Sequence, residues 1–344
     1  MSTPLSHAAL QRLPKTDLHC HLDGSLRLST LLELMAADPG LIAGRAAVER
    51  QLSQGLSRGS LEAYLAVFPH TLAVLQSAET LERVAFELGE DAARENVRWL
   101  EVRYCPSLNQ AHGLALDDVV SAVERGLRRA HERFGVESGQ ILCALRDQSP
   151  VQSLRLAEFG VRSFRPEEPG AVIGFDLAGA ERGHPAIAHA AAFDCARGGN
   201  MWVTCHAGED DGPESIAQAV HRLGVSRIGH AVALAHDPAL LRYVADHGIG
   251  VEACLSSNVQ TGAVADLSAH PLPEFLAARV AVSLATDNRL VSATSVTREL
   301  DLAQSALGCG RDAVATILRN GFATAFLSAQ RREAYLGELA AALA

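Results

Sequence analysis

Four histidines and one aspartate stand where short apolar runs of strand type end. His19 and His21 close the first run, and a spacing of two residues places both side chains on one face of a strand. His206 ends Met-Trp-Val-Thr-Cys-His, His230 ends Arg-Ile-Gly-His, and Asp287 ends the last run. Imidazole and carboxylate groups are ligands of Zn²⁺ and similar divalent ions. Because all five side chains share this position, the pattern predicts that they converge on one metal ion.

Glu209 lies three residues beyond His206, just past the predicted strand. In one interpretation it is a general acid–base beside a metal-activated water. In the other it is an acid at a helix N-terminus, where the helix dipole favours negative charge. The neighbouring Asp210, Asp211 and Pro213 are typical of such a terminus. The residues alone leave both interpretations open.

Two glycine-containing segments are further candidate parts of the site. Gly179 ends Phe-Asp-Leu-Ala-Gly, where bare backbone allows a flat ligand to approach closely. Asp23-Gly24-Ser25 follows the histidine pair at the predicted mouth of the barrel. It is compatible with a place in the site and equally with a simple turn.

The remaining histidines and the cysteines do not fit the strand-end pattern. Cys205 adjoins His206 and should point to the opposite side of its strand, so neither a cysteine nucleophile nor a zinc knuckle is expected. We interpret the other histidines as surface or local capping residues: His70, His112, His131, His184, His189, His221, His236, His247 and His270.

The elements that must position these residues alternate between β-rich runs and amphipathic segments. Several runs are almost wholly apolar, as is typical of strands buried on both faces of a parallel sheet. The predicted strands are 16–22, 97–104, 140–145, 172–177, 201–206, 227–231, 249–255 and 280–287. The predicted helices include 80–95, 116–134, 185–197, 213–223 and 238–246, with closing helices at 313–318 and 331–339.

This alternation predicts an α/β fold, a (β/α)8 TIM barrel whose strand ends all face one mouth. A doubly wound open sheet is the alternative, but it would need its ligand site at one switch point. Polar residues end most of the strands here, which favours the barrel. We expect a single domain over residues 1–344.

A helical insertion is predicted at about residues 28–95, between the first two strands. Within it Leu61, Tyr64, Leu65 and Phe68 follow the spacing of one apolar helical face. Such a face packs on the barrel, or it forms a lid that contacts the substrate and excludes water from the mouth.

The composition narrows the classes of function. Hydrophobic residues make up 48% and charged residues 20% of the 344 residues, which is ordinary for a globular protein with a large core. A net charge of −10 without a long basic run argues against nucleic-acid and membrane partners. No apolar stretch approaches the roughly 18 residues of a membrane span, and no signal peptide is evident. Seven cysteines without a Cys-x-x-Cys pair indicate reduced thiols, so we expect a cytoplasmic location.

Five sequence blocks together resemble the adenosine deaminase family of metal-dependent amidohydrolases, over about residues 12–335. The resemblance implies one Zn²⁺ per subunit and hydrolytic deamination of a small-molecule purine nucleoside. Adenosine, and 2′-deoxyadenosine with it, would yield inosine and ammonia in purine salvage. The blocks are Lys15-Thr-Asp-Leu-His-Cys-His-Leu-Asp-Gly-Ser, Asp176-Leu-Ala-Gly, His206-Ala-Gly-Glu, Ile228-Gly-His and Ser283-Leu-Ala-Thr-Asp.

The resemblance also implies roles for the metal-site residues. Glu209 would protonate purine N1, and His230 would orient and deprotonate the metal-bound water rather than act as a fifth ligand. Asp287 would be both a ligand and a partner of that water. The implied zinc ligands are His19, His21, His206 and Asp287, and His21 would also contact the substrate.

Further roles concern the substrate and the residues behind the ligands. The backbone N–H of Gly179 would donate to purine N3, and Asp23 would reach the ribose 5′-hydroxyl. Glu252, Cys254 and Ser257 would lie behind the histidine and aspartate ligands.

Asn288 and Arg289 depart from the pattern of the family, Thr-Asp-Asp-Pro, in which the second aspartate meets purine N7. An asparagine amide carries a permanent donor, so Asn288 is compatible with binding the adenine ring. Related adenine deaminases tend to carry glutamate in place of Asp23, which favours a nucleoside here. The alternatives are a deaminase of adenine or aminodeoxyfutalosine, a non-catalytic purine-binding relative, and a phosphoesterase, which usually needs more ligands.

Overall fold

Eight parallel strands follow one another around a barrel in the order in which they occur in the chain. The structure, a computed structural model, describes residues 4–52 and 59–344. The predicted (β/α)8 barrel is confirmed, and the open doubly wound sheet is wrong. The strands are β1 Lys15–His21, β2 Val97–Tyr104, β3 Glu137–Leu145, β4 Val172–Ala178, β5 Trp202–Ala207, β6 Arg227–His230, β7 Gly250–Ala253 and β8 Ala281–Leu284.

Most of the predicted strands agree with the observed ones to within a few residues, but the last is shorter than predicted. Strand β8 ends at Leu284, so Asp287 lies three residues beyond it rather than on it. The backbone of Asp287 closes the barrel instead, because its N–H donates to His19 O and its carbonyl accepts from His21 N–H, both at 2.7 Å. One peptide segment therefore joins the two ends of the sheet and carries the aspartate to the histidine pair.

Sixteen α-helices occur in the described ranges, and most pack around the barrel. They are α1 His7–Arg12, α2 Leu28–Ala37, α3 Arg45–Leu52, α4 Leu61–Leu65, α5 Phe68–Val74, α6 Ala78–Arg94, α7 Leu116–Phe134, α8 Pro150–Ser163, α9 Ala190–Gly198, α10 Pro213–Gln218, α11 Pro238–Asp246, α12 Leu255–Gln260, α13 Leu272–Ala277, α14 Val296–Ser305, α15 Arg311–Thr324 and α16 Ala329–Leu343.

Local sequence explains where several helices begin and change. Ser149 and Gln152 form a reciprocal capping box at the start of α8. The predicted helix 185–197 is a 3-10 turn followed by α9, and 213–223 is α10 followed by a π-helical turn. These differences arise at helix ends, where backbone hydrogen bonds are satisfied in several ways.

The barrel interior is closed by an apolar layer near the amino ends of the strands. Leu18, Trp99, Ile141 and Ile173 pack there against Phe326, and all five are buried. The polar strand ends described below lie at the opposite mouth, so the layer forms the floor of the site.

The predicted insertion contains α2 to α5, with α6 returning the chain to β2. Residues 53–58 of that segment lie outside the described residues. The four apolar residues do not share one helix: Leu61, Tyr64 and Leu65 belong to α4, whereas Phe68 begins α5. Their spacing survives because the break between the two helices is only two residues long.

Two further features bear on the expectations from composition. Within the described ranges, no helix has both the length and the apolar character that crossing a membrane requires. All seven cysteines are free thiols, as the sequence indicates.

Candidate metal centre and active site

The predicted ligands meet at the carboxyl ends of the strands. His19 and His21 extend from β1, His206 from β5 and His230 from the end of β6, and the loop after β8 brings Asp287 beside them. His19 is fully buried, and the side chain of His21 is 13% exposed. The ligand atoms of His19, His206, His230 and Asp287 all lie within 4.8 Å of one another.

The ligand atoms of His19, His21, His206 and Asp287 are spaced as a single divalent cation requires. His21 Nε2 lies 3.0 Å from His206 Nε2 and 3.3 Å from His19 Nε2. Asp287 Oδ1 lies 3.4 Å from both His19 Nε2 and His21 Nε2. Four ligand atoms held about 2.0–2.1 Å from a tetrahedral ion are about 3.3 Å apart. The residues present therefore match what a zinc-like ion requires.

The outer nitrogens of two of these histidines face carboxylates. His19 Nδ1 lies 2.8 Å from Glu252 Oε2, and His206 Nδ1 lies 3.1 Å from Asp176 Oδ2. A carboxylate accepts the Nδ1 proton and leaves the Nε2 lone pair directed at the metal. Burial alone would raise the pKa of Asp176, but His206 and Arg103 hold that pKa well below its ordinary range.

Two buried arginines keep these carboxylates charged. Arg103 donates to Asp176 Oδ2 and to Glu252 Oε2, each at 2.9 Å. Arg227 Nε donates to Glu252 Oε1 at 2.6 Å. Sequence reasoning missed both arginines and the role of Asp176. The available signal was a charged residue inside an otherwise apolar strand, where an unpaired charge would be costly.

Asp287 is held from the backbone and from the side chain. Its φ of +56° lies in the left-handed region, which non-glycine residues seldom adopt. Ser257 Oγ donates to Asp287 Oδ2 at 2.5 Å. Burial would raise the pKa of Asp287, but hydrogen bonding from His19 and the surrounding imidazoles hold it well below its ordinary range. The predicted positions of Glu252 and Ser257 behind the ligands agree with these contacts, and Cys254 is buried nearby.

Glu209 points into the site and does not cap a helix. Its Oε2 lies 3.5 Å from His230 Nε2, whereas the residue capping α10 is Gly212. The loop is held by Glu181, which accepts from the backbone N–H groups of residues 208, 209 and 210 at 2.7–2.9 Å. Burial raises the pKa of Glu209 well above its ordinary value, and the charges of Asp287 and Glu181 raise it further. Burial and these two charges therefore favour the protonated form of Glu209.

A cavity of about 230 Å³ opens onto this centre. Asp23 lies in its wall, and its buried Oδ1 has no hydrogen-bond partner among the described residues. Burial raises the pKa of Asp23 to about 7. All of the predicted substrate contacts line the cavity: His21, Asp23, Leu61, Tyr64, Leu65, Phe68, Gly179 and Asn288.

Asn288 is already bound to the helical insertion. Its Nδ2 donates to Tyr64 Oη at 3.0 Å, and that hydroxyl lies 2.8 Å from Ser292 Oγ. A Cβ on Gly24 would come within 1.7 Å of Asn288 Oδ1, so only glycine leaves room for this amide. Tyr64 therefore links α4 to the loop after β8.

Two of the remaining histidines are not surface residues. His189 is buried with its Nδ1 2.8 Å from Ser153 Oγ, so its interpretation as a surface residue is wrong. It occupies the N-cap position of α9, although its side chain makes no capping hydrogen bond. His270 does accept a backbone N–H, from Leu272, but it is buried as well.

Gly179 has a φ of +95°, a conformation that glycine adopts readily and other residues rarely do.

A (β/α)8 barrel that gathers a His-x-His pair, further histidines and an aspartate at its carboxyl mouth defines the class of the protein as a metal-binding amidohydrolase. A model of the family described as adenosine deaminase matches residues 14–342. The chain belongs to the adenosine deaminase family.

Relatives with this description occur in several bacteria. An adenosine deaminase of Klebsiella pneumoniae strain 342 is 38% identical over 335 residues, which cover 95% of this chain and 98% of the relative. One of Mycobacterium leprae strain TN is 36% identical, with 98% of this chain and 97% of the relative covered.

Solved structures of purine deaminases superpose on the whole barrel. An adenine deaminase from Arthrobacter aurescens has a TM-score of 0.87 at 25% identity, covering 96% of this chain and 98% of that one. An N6-methyl-AMP deaminase from Arabidopsis thaliana has a TM-score of 0.86 at 27% identity and covers 98% of each chain. Family and neighbours make the protein a purine deaminase, a hydrolase acting on C–N bonds in cyclic amidines.

Proposed function

We propose that the protein catalyses the zinc-dependent hydrolytic deamination of adenosine, and of 2′-deoxyadenosine, to the corresponding inosine and ammonia. The observation that carries the choice of substrate is Asp23. Its buried Oδ1 lacks a partner at the cavity wall, and a buried acceptor without a partner is costly. The 5′-hydroxyl of a nucleoside would supply the missing donor, whereas free adenine has no such group.

The charge of the cavity favours a nucleoside over a nucleotide. Among the described residues that line it there is no lysine or arginine, and both Asp23 and Asp147 are acidic. Proteins recognise phosphate mainly with arginine and lysine. A 5′-phosphate would meet acidic groups here, so AMP derivatives are the weaker candidates. Adenine remains the second candidate, because the centre that acts on C6 would serve the free base equally well.

In this proposal His19, His21, His206 and Asp287 hold the zinc ion. Bound there, the ion would lower the pKa of a water molecule from 15.7 toward about 7. His230 and Asp287 both line the cavity, and in this proposal they orient that water toward purine C6.

Glu209 holds the proton that makes C6 reactive. Its raised pKa favours the protonated acid, and in this proposal that acid donates its proton to N1 while the water oxygen attacks C6. One water proton goes to a base beside the water, His230 or Asp287. That base passes the proton to the departing amino nitrogen, which leaves as ammonia. The proton on the C6 hydroxyl returns to Glu209 as the C6 carbonyl of inosine forms. Protons and bonds balance without any other reactant.

The remaining residues orient the purine. The backbone N–H of Gly179 would donate to N3, and Leu61, Leu65 and Phe68 would cover the ring and exclude water. Because the amide of Asn288 already donates to Tyr64, we propose that the two residues form the N7 side of the pocket together. This refines the expectation that Asn288 is compatible with binding the adenine ring.

The test compares the turnover of adenosine, adenine and AMP by the purified enzyme. Turnover of each compound is measured as the loss of its own absorbance near the purine maximum. We expect kcat/KM for adenosine to exceed the other two by at least about 100-fold, because a site built to bind a hydroxyl rejects ligands lacking it. Faster turnover of AMP or adenine would contradict the choice of substrate. Turnover of none of the three by zinc-loaded protein would contradict purine deamination by this site.

A further inference from the structure

We infer that Asn258 and His270 are positioning residues that hold His230 with its Nε2–H, rather than its Nε2 lone pair, directed at the candidate metal centre. Asn258 lies on α12 and His270 just before α13, and neither lines the cavity. The inference deepens the proposed function, on which its consequence for turnover rests, by assigning the proton on a ring that faces the attacking water.

The backbone N–H of Leu272 is a group that can only donate a hydrogen bond. The backbone N–H of Leu272 lies 3.1 Å from His270 Nδ1, so that nitrogen must accept. Burial lowers the pKa of His270 to about 4, and the ring is therefore neutral at pH 7 with a single proton. Since Nδ1 accepts, the proton is on Nε2.

The next bond sets the orientation of the amide. His270 Nε2 lies 3.2 Å from Asn258 Oδ1, and its N–H donates to that oxygen. The amide nitrogen is then the atom 3.0 Å from His230 Nδ1, to which it donates. Reversing the amide would place two donors face to face at one end and two acceptors at the other. All three side chains are buried.

His230 consequently has its lone pair on Nδ1 and its proton on Nε2. This is the opposite of His19 and His206, whose Nδ1 atoms face carboxylates. Four imidazoles surround the centre. The Nδ1 of His230 accepts a hydrogen bond from an amide, whereas the Nδ1 atoms of His19 and His206 donate to carboxylates. In this tautomer His230 Nε2 neither binds a cation nor accepts a proton from water.

His230 then acts as a hydrogen-bond donor to the attacking oxygen. The acceptor that remains at the centre for the water proton is the carboxylate of Asp287, which lies beside the same imidazoles. His230 orients the water, and the proton transfer that the family resemblance implies for it passes to Asp287.

The test changes the direction of the amide bond with little change in shape. In Asn258→Asp, a carboxylate accepts from both neighbours, so the proton of His230 should move to Nδ1. His270→Leu removes the donor that orients the amide, whereas His270→Gln keeps a donor for Asn258 and an acceptor for Leu272. The matched control is Asn109→Asp, since Asn109 is also buried and its amide donates to a backbone carbonyl.

The measurement is the pair of ring ¹⁵N resonances of His230 in histidine-labelled enzyme as purified, with zinc content and adenosine kinetics on the same samples. We expect a protonated Nε2 in the unaltered protein, in His270→Gln and in Asn109→Asp. We expect a protonated Nδ1 in Asn258→Asp, and a kcat about 10–100-fold lower with zinc content retained. KM should change by less than about threefold.

Several results would overturn the inference: a protonated Nδ1 in the unaltered protein, an unchanged His230 pattern in Asn258→Asp, or identical patterns in His270→Leu and His270→Gln. The last comparison decides the matter if Asn258→Asp does not fold. A protein that shows the expected resonances but does not deaminate adenosine would support the positioning and contradict the proposed function, so the two failures are distinguishable.

Discussion

Glu252 offers the sharpest test of how the barrel holds its metal centre. The carboxylate is fully buried and accepts four hydrogen bonds. Oε2 accepts from His19 at 2.8 Å and Arg103 at 2.9 Å, and Oε1 accepts from Arg227 at 2.6 Å and Thr204 at 3.1 Å. The substitution Glu252→Gln keeps the shape of the side chain and removes one of its two acceptor oxygens.

The cost to stability follows from counting donors. Arg103 and Arg227 face different oxygens, so whichever way the amide of Gln is turned, its NH₂ group opposes one arginine N–H, which loses its acceptor. A buried donor without a partner costs about 1–3 kcal/mol. We therefore expect the free energy of unfolding of the metal-free protein to fall by about 1–3 kcal/mol.

The same substitution should weaken metal binding. The carboxylate holds the proton of His19 on Nδ1 and increases the basicity of Nε2, and loss of such a partner typically costs about 10–100-fold in metal affinity. Zinc affinity is measured by competition with a chelator, and unfolding by urea titration of the metal-free protein.

The control is Glu338→Gln, because Glu338 also binds an arginine, Arg98, but its side chain is 38% exposed. An exposed pair contributes about 0–1 kcal/mol, and this variant should bind zinc as the unaltered protein does. If Glu252→Gln matched the control in both zinc affinity and unfolding midpoint, the assignment of Glu252 as the support of His19 would be refuted.

Three further predictions concern the acid, the amide and the pH dependence. Glu209→Gln should fold and retain zinc by elemental analysis, yet lose about 10²–10⁴-fold in kcat, because the proton for N1 is gone; near-normal turnover would exclude Glu209 as the acid. Gly24→Ala should displace the Asn288 amide, whose oxygen would lie 1.7 Å from the new Cβ, and lower kcat/KM for adenosine by about 10–100-fold with zinc content unchanged. An Asn288→Ala variant that kept normal kinetics would show that the amide is dispensable. The pKa of His270 is about 4 in the folded protein and 6.5 in its ordinary state. The unfolded chain therefore binds more protons between these values, and stability falls as the pH drops from 6.5 toward 4. The share of His270 reaches about 3 kcal/mol near pH 4, so urea unfolding of His270→Gln should show a correspondingly weaker loss, and an unchanged pH slope would contradict the lowered pKa.

The architecture and the positions of the candidate ligand residues were predictable because their signals are local. Apolar runs of five to eight residues followed by polar residues indicate buried parallel strands, and the predicted positions of β2 and α7 agree with the structure residue for residue. The His19–His21 pair declares itself by a spacing of two. The structure brings Glu209 to the centre, so its interpretation as a helix-capping acid is not needed.

Other residues could not be found this way, because their partners are far away in the chain. Arg103 lies 149 residues from Glu252, and Asn258 lies 28 residues from His230. Neither residue has a local pattern that distinguishes it from a structural polar residue. The sequence predicts that His270 lies in a loop, but it does not reveal that the residue is buried. In the structure His270 belongs to a hydrogen-bonded chain that passes through Asn258 to His230.

By itself, the sequence determined that this is a (β/α)8 barrel of the adenosine deaminase family with candidate histidine and aspartate ligands at its mouth. Periodicity and residue type are properties of short segments, so they can be recognised before the fold is known. Only the tertiary structure decided that Asp287 closes the barrel from beyond β8, that Tyr64 engages the Asn288 amide, and that the outer hydrogen bond of His230 runs opposite to those of His19 and His206. Each of these depends on which donor meets which acceptor across the barrel, and that pairing exists only once distant strands are side by side.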